Sequence, residues 1–130
     1  MAVTFEGIDS EQEMEVPVSG PDGANKLFLY TGVAMIFFQG TGSDWLRDSV
    51  SFEVGRSFME SEFLRAVATA SLASIANDHK AVNAGWAVDR VTVSRSASTG
   101  KTMLTINLAV RDSDGYVHRV AYEASVLAKV

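Results

Sequence analysis

Apolar and polar positions alternate over residues 102–111, and this alternation constrains the fold more than any other feature of the chain. The apolar positions are Leu104, Ile106, Leu108 and Val110. A period of two predicts a β-strand with one buried face, because successive side chains of a strand point to opposite sides of a sheet. Residues 86–95, which precede it, are rich in β-branched side chains and predict a second strand. An antiparallel sheet is therefore expected in this part of the chain.

The segment between these two strands ends like a nucleotide-binding P-loop. Residues 96–102 read SASTGKT. A P-loop also needs a glycine five positions before its last glycine, and a following helix whose free N–H groups hold the phosphates. Arg95 occupies the glycine position, and a strand pattern follows instead of a helix. The segment is predicted to be a polar hairpin loop, and no cofactor is expected.

Similar patterns predict four more strands. Residues 13–20 alternate apolar and acidic positions, which indicates a strand with one solvated face. Pro17 restricts this strand to a sheet edge, because proline has no N–H to donate. Turns are expected at Ser19–Gly23 and at Asp112–Gly115. The other three predicted strands are residues 26–40, 49–55 and 116–128.

Residues 57 to 84 predict one long helix. Ser57 and Glu60 have the spacing of a capping box, in which both side chains satisfy N–H groups of the first helical turn. Gly85 is a suitable stop. Apolar residues then recur at spacings of three and four, which places them on one helical face: Leu64, Val67, Ala68, Leu72, Ile75 and Ala76.

These elements predict an α+β fold, with a mainly antiparallel sheet or open barrel of about six strands and one long helix packed on it. The length of 130 residues fits a single domain over residues 1–130, in which residues 1–12 are an extended acidic arm. The helix would cover the sheet, and the sheet edges would be open to other chains.

The composition argues against several classes of function. The chain has no cysteine and two histidines, so neither thiol chemistry nor a metal site is expected. The acids, histidines and hydroxyls form no cluster that predicts an enzyme. Basic residues are scattered singly, which argues against nucleic-acid binding. The apolar run at residues 32–40 is too short to cross a bilayer, and the acidic start does not resemble a signal peptide, so cytoplasmic synthesis without membrane binding is expected.

Charge is distributed unevenly along the chain. Residues 1–25 hold six acids and no base, whereas residues 80–130 hold seven bases and four acids. One interpretation is a solvated acidic segment; the other is head-to-tail association, with the acidic arm of one copy on the basic sheet of the next. The second makes proteins the expected partners, as a homo-oligomer or as neighbouring subunits. The candidate interface residues are Glu11, Glu13, Glu15, Trp45, Trp86 and Arg90.

The order of the predicted elements resembles one known family. The carboxy-terminal part of small baseplate wedge proteins, from contractile phage tails and related injection machines, has a similar order of elements. In this chain the order is a capped helix, VDRVTV, a polar hairpin, LTINLAVRDSDG and a closing strand. The resemblance covers about residues 57–125. That family carries a glutamate-proline-arginine motif before a similar strand; Arg90 matches it, but Val88 and Asp89 replace its first two residues. The resemblance implies a structural subunit of a virion.

The sequence therefore predicts a non-catalytic subunit of an oligomeric assembly that associates through the acidic arm and the sheet edges. The alternative is a small-molecule binding module or an enzyme, with a pocket between the helix and the sheet.

Overall fold

The structure, a computed structural model, describes residues 3–20, 23–77, 84–112 and 115–130. These residues form seven β-strands and no helix. The strands are β1 (Thr4–Gly20), β2 (Gly23–Gln39), β3 (Leu46–Val54), β4 (Phe63–Asn77), β5 (Gly85–Arg95), β6 (Thr102–Arg111) and β7 (Gly115–Ala128).

The strands form two antiparallel sheets. Sheet A has the order β1-β2-β7-β4, and sheet B has the order β3-β6-β5. One hydrophobic core lies between the sheets: the ring of Phe52 in β3 contacts the stacked ring of Phe5 in β1 and the edge-on ring of Tyr122 in β7. The central strands β2, β6 and β7 supply most of the fully buried side chains. The fold is therefore an all-β sandwich.

The α+β prediction is wrong, because the segment that predicted a helix forms strand β4. The inner face of β4 packs against the core through Phe63, three alanines and Leu72, whereas the predicted helical stripe is split between both faces. Leu64, Val67 and Ile75 from that stripe are exposed. Pairing with β7 satisfies the backbone groups along one edge of β4, and the side chains that face the core therefore recur with a period of two.

The predicted capping box of Ser57 and Glu60 does not form, because a turn and strand β4 follow instead of a helix. The Ser57 hydroxyl donates to the carbonyl oxygen of Thr99 at 2.8 Å, instead of accepting from a helical N–H. The Met59 N–H donates to the Glu62 carboxylate at 2.7 Å, in a turn that leads into β4. Gly85, the predicted helix stop, begins β5; a Cβ there would lie 2.6 Å from the ring of Trp45. Glycine is required at that position by the close approach of the ring.

The predicted hairpin at SASTGKT is confirmed. Strands β5 and β6 pair antiparallel from Gly85↔Arg111 to Arg95↔Thr102, and the loop between them is closed by the Ser96 N–H donating to the Lys101 carbonyl at 2.8 Å. The Gly100 carbonyl then accepts the Phe58 N–H at 2.9 Å, so the loop docks on the segment before β4. The loop therefore has a structural role, because it holds the segment before β4 against the β5–β6 hairpin.

The turns predicted at Ser19–Gly23 and Asp112–Gly115 lie partly outside the described residues. The first connects two paired strands, since Gly20 of β1 is opposite Gly23 of β2. The second connects β6 of sheet B to β7 of sheet A, and the Gly115 N–H donates to the Asp112 carbonyl at 3.0 Å. That connection therefore crosses between the sheets instead of joining neighbouring strands.

Candidate functional site

The outer strands of sheet A are β1 and β4. Each has one paired neighbour among the described strands, β2 for β1 and β7 for β4. They are long, with 17 residues in β1 and 15 in β4. β4 also contacts β5 of the other sheet. An unpaired edge of this length presents a row of N–H and C=O groups that another strand can pair with.

β1 is exposed on both faces over residues 9–17. Its first part belongs to the sandwich, because Phe5 stacks on Phe52 at a centroid distance of 5.2 Å and the Val3 N–H donates to Asp48 at 3.0 Å. Thus residues 4–12, most of the predicted arm, are part of a strand. Pro17 lies in this edge strand, as the sequence predicted.

The three candidate glutamates, Glu11, Glu13 and Glu15, lie on the side of β1 that carries Phe5. They are opposite Gly32 and the core residues Tyr30 and Phe28 of β2. Glu11 accepts a hydrogen bond from the Tyr122 hydroxyl at 2.9 Å, and Glu15 forms an ion pair with Lys26 at 3.4 Å. Asp9 pairs with Arg119 at 3.8 Å in the same way. The acidic strand is therefore partly neutralised within its own chain.

Two tyrosines lie beneath this acidic row. Burial raises the pKa of Tyr30 to about 12, and the Glu13 and Glu11 carboxylates add to the rise, while the hydrogen bond from the Arg56 N–H opposes it. Burial also raises the pKa of Tyr122, and the hydrogen bond to Glu11 and its negative charge raise it further. Both phenols stay protonated at neutral pH, so the Tyr122 hydroxyl acts as a donor that positions Glu11.

An apolar row crosses the outer face of sheet A and ends on both edges. Met14 of β1 is opposite Leu29 of β2, Leu29 is opposite Ser125 of β7, and Ser125 is opposite Val67 of β4. Met14 is 59% exposed and Val67 is 62% exposed. Sequence reasoning missed both as interface residues, because it placed Val67 on a buried helix face. The sequence did contain a pattern that could have predicted Met14: apolar residues alternate along a strand that Pro17 places at a sheet edge.

The two tryptophans lie near the loops at the ends of β3, β5 and β7. Trp45 precedes β3, is 37% exposed, and has the Arg111 guanidinium 4.8 Å above its ring. Trp86 is half-buried against the core and donates from Nε1 to the Tyr116 carbonyl at 2.9 Å. Trp45 is thus a partly exposed ring with an intramolecular cation–π contact, and Trp86 is anchored in the fold.

Arg90 is exposed on β5, where the pairing with β6 shifts register between Val88 and Arg90. The structure brings Trp45 and Trp86 to adjacent parts of the fold, since Gly85 touches the ring of Trp45. The glutamates lie on a different strand, at the edge of sheet A. The six candidate residues therefore do not converge on one site.

The described residues contain no group of three or more histidine, aspartate or glutamate side chains arranged to hold a metal ion. In the same part of the chain, no helix is long and apolar enough to cross a membrane. Comparisons of the chain with protein-family models, curated proteins and solved structures give no match. The resemblance to baseplate wedge proteins stays a hypothesis that depends on β5, β6 and β7, because its expected helix is strand β4.

Proposed function

We propose that the chain is a non-catalytic structural subunit of an oligomeric assembly and that it associates through the outer strands of sheet A. The observation that supports this most is residues 9–17 of β1, which are exposed on both faces of an outer strand with one described neighbour. Monomeric β-proteins protect such edges with short strands, prolines or bulges; β1 has two bulges before Ser10 and a proline at position 17, and residues 10–16 between them are regular strand. A phage-like tail or baseplate is the setting we propose for this assembly, and the virion its final location.

The exposed apolar residues on both edges support the same proposal. Met14 and Val16 on β1, and Leu64 and Val67 on β4, are exposed apolar side chains on the two outer strands of one sheet. Exposed apolar groups at a strand edge favour association, because pairing removes them from water while satisfying the backbone. The alternative of a pocket between a helix and the sheet has no counterpart in the described residues, which contain no helix.

The test is the mass in solution of the full chain and two matched variants. Met14→Lys places a positive charge in the exposed part of β1, and Met59→Lys makes the same substitution at a similarly exposed methionine in the turn before β4. Light scattering over a range of concentrations should show association of the unmodified chain and of Met59→Lys, and weaker association of Met14→Lys. A monomer at every concentration would overturn the proposal, as would equal association of both variants.

A further inference from the structure

The outer strands of sheet A run in opposite directions. β1 is antiparallel to β2, β2 to β7, and β7 to β4, so β1 and β4 point opposite ways. If a second copy lies beside the first in the same orientation, its β1 runs antiparallel to the β4 of the first. Antiparallel strands can pair directly through their backbone groups.

We propose that β1 of one copy pairs with β4 of the next, so that sheet A continues from copy to copy. This inference rests on the proposed function and adds to it the identity of the partner, a second copy of this chain, and the strands that meet. The pairing joins the regular parts of the two strands, residues 10–16 of β1 and 65–71 of β4, because register shifts interrupt both strands beyond these parts and Pro17 has no N–H to donate.

The outer face supports this pairing. In the unshifted register, the row Met14–Leu29–Ser125–Val67 of one copy continues into the same row of the next, and Val67 is opposite Met14 of the second copy. Directly opposite residues have Cβ atoms about 5 Å apart. The two most exposed apolar side chains of these strands would then cover each other.

The charges on the inner face of β1 disfavour pairing between the β1 strands of two copies. In the unshifted register, Glu11, Glu13 and Glu15 are opposite Ala70, Ala68 and Ala66 of the neighbouring β4, which carry no charge. A two-fold β1–β1 contact would instead align two strands that each carry five acids and no base. Like charges directly opposite destabilise a strand pair. The acidic composition of β1 thus selects a partner strand that lacks acids, and β4 has none.

This contact joins different surfaces of the two copies, so it is heterologous. A heterologous contact leaves a free β1 at one end of each complex and a free β4 at the other. Addition of copies then continues until the rotation between them closes a ring, or produces an open filament. The twist of sheet A sets that rotation.

Cysteine cross-linking tests this pairing, because the chain has no native cysteine. Met14→Cys and Val67→Cys are made as single variants, with Met59→Cys as the control at an exposed site in the turn before β4, outside the proposed pairing. Each variant alone and each mixture of two variants is treated with a bismaleimide that spans about 8 Å. This length matches the distance between diagonal neighbours on one face of a sheet. Mass spectrometry identifies the linked peptides.

We expect linked dimers in the mixture of Met14→Cys and Val67→Cys and none above the Met59→Cys background in either variant alone. Dimers within Met14→Cys alone, or within Val67→Cys alone, would overturn the head-to-tail pairing while the assembly proposal survives. Association by light scattering without any cross-link between positions 14 and 67 would overturn it too. Monomeric mass for all variants and for the unmodified chain would instead refute the proposed function itself.

Discussion

At the scale of the residue, the contact between Tyr30 and Gly55 joins the sheets next to the acidic strand. Tyr30 is fully buried, and its hydroxyl accepts the Arg56 N–H at 3.4 Å. Gly55 has a φ of +74°, and a Cβ at this position would fall on the Tyr30 ring. Glycine therefore both adopts the left-handed conformation and leaves room for the ring. The Tyr30 hydroxyl is therefore kept in a buried site, and its pKa differs between the folded and the unfolded chain.

The buried Tyr30 predicts a loss of stability at high pH. In the unfolded chain the phenol ionises with a pKa near 10.0, whereas burial raises the pKa in the folded protein to about 12. The raised pKa contributes stability below pH 10 that is lost as the pH rises from 10 towards 12, because the unfolded state releases the proton first. Urea unfolding at a series of pH values should show the free energy of unfolding falling across this range.

Tyr30→Phe is the matched variant for this measurement. It removes the ionisable hydroxyl and keeps the ring, so the fall in unfolding free energy between pH 10 and 12 should be shallower than in the unmodified chain. The remaining fall would come from Tyr122, whose pKa is raised in the same direction, and from other groups. Identical pH slopes for the two proteins would show that Tyr30 is not held protonated by the fold.

At the scale of the element, strand β4 shows how far the sequence could predict the fold. Strands with large β-branched or aliphatic residues on one face, such as β6, were predicted correctly. In β4 the inner positions are mainly alanine and the outer ones include Val67 and Ile75. The apolar residues therefore match both the period of two of a strand and the spacing of three and four of a helix. Alanine fits a helix and a strand equally well by size, and its high helix propensity favoured the wrong choice. Pairing with β7 overrode that propensity.

The alternation in β4 can be tested by charge substitutions at two neighbouring positions. The predicted helix would have buried both Val67 and Ala68, whereas in the strand Ala68 is half-buried against the core and Val67 is exposed. Ala68→Asp should lower the free energy of unfolding by about 2 kcal/mol or more, because it forces a carboxylate against the core. Val67→Asp should change it by roughly 0.5 kcal/mol or less in dilute protein. Comparable losses in urea denaturation of both variants would contradict the strand.

At the scale of the whole molecule, the sequence predicted an acidic segment and open sheet edges but not how they are arranged. The charges of β1 are partly paired within the chain, through Lys26 and Arg119, and attraction between opposite ends of two copies is correspondingly weaker. What the sequence could not supply is the strand order, since it depends on which strands pair across long sequence separations. That order places β1 and β4 at opposite edges of one sheet. The proposed association surface therefore depends on the strand order more than on net charge.

Hydrogen exchange of the full chain at low and high protein concentration tests the association through sheet A most directly. Backbone amides on the free edges of β1 and β4 exchange with solvent in the monomer and become hydrogen-bonded when copies pair. The account predicts that protection in residues 4–20 and 63–77 rises with concentration, while protection in the central strand β6 stays unchanged as the internal reference. Protection that is independent of concentration in both outer strands, or that rises only in β3 or β5, would contradict it.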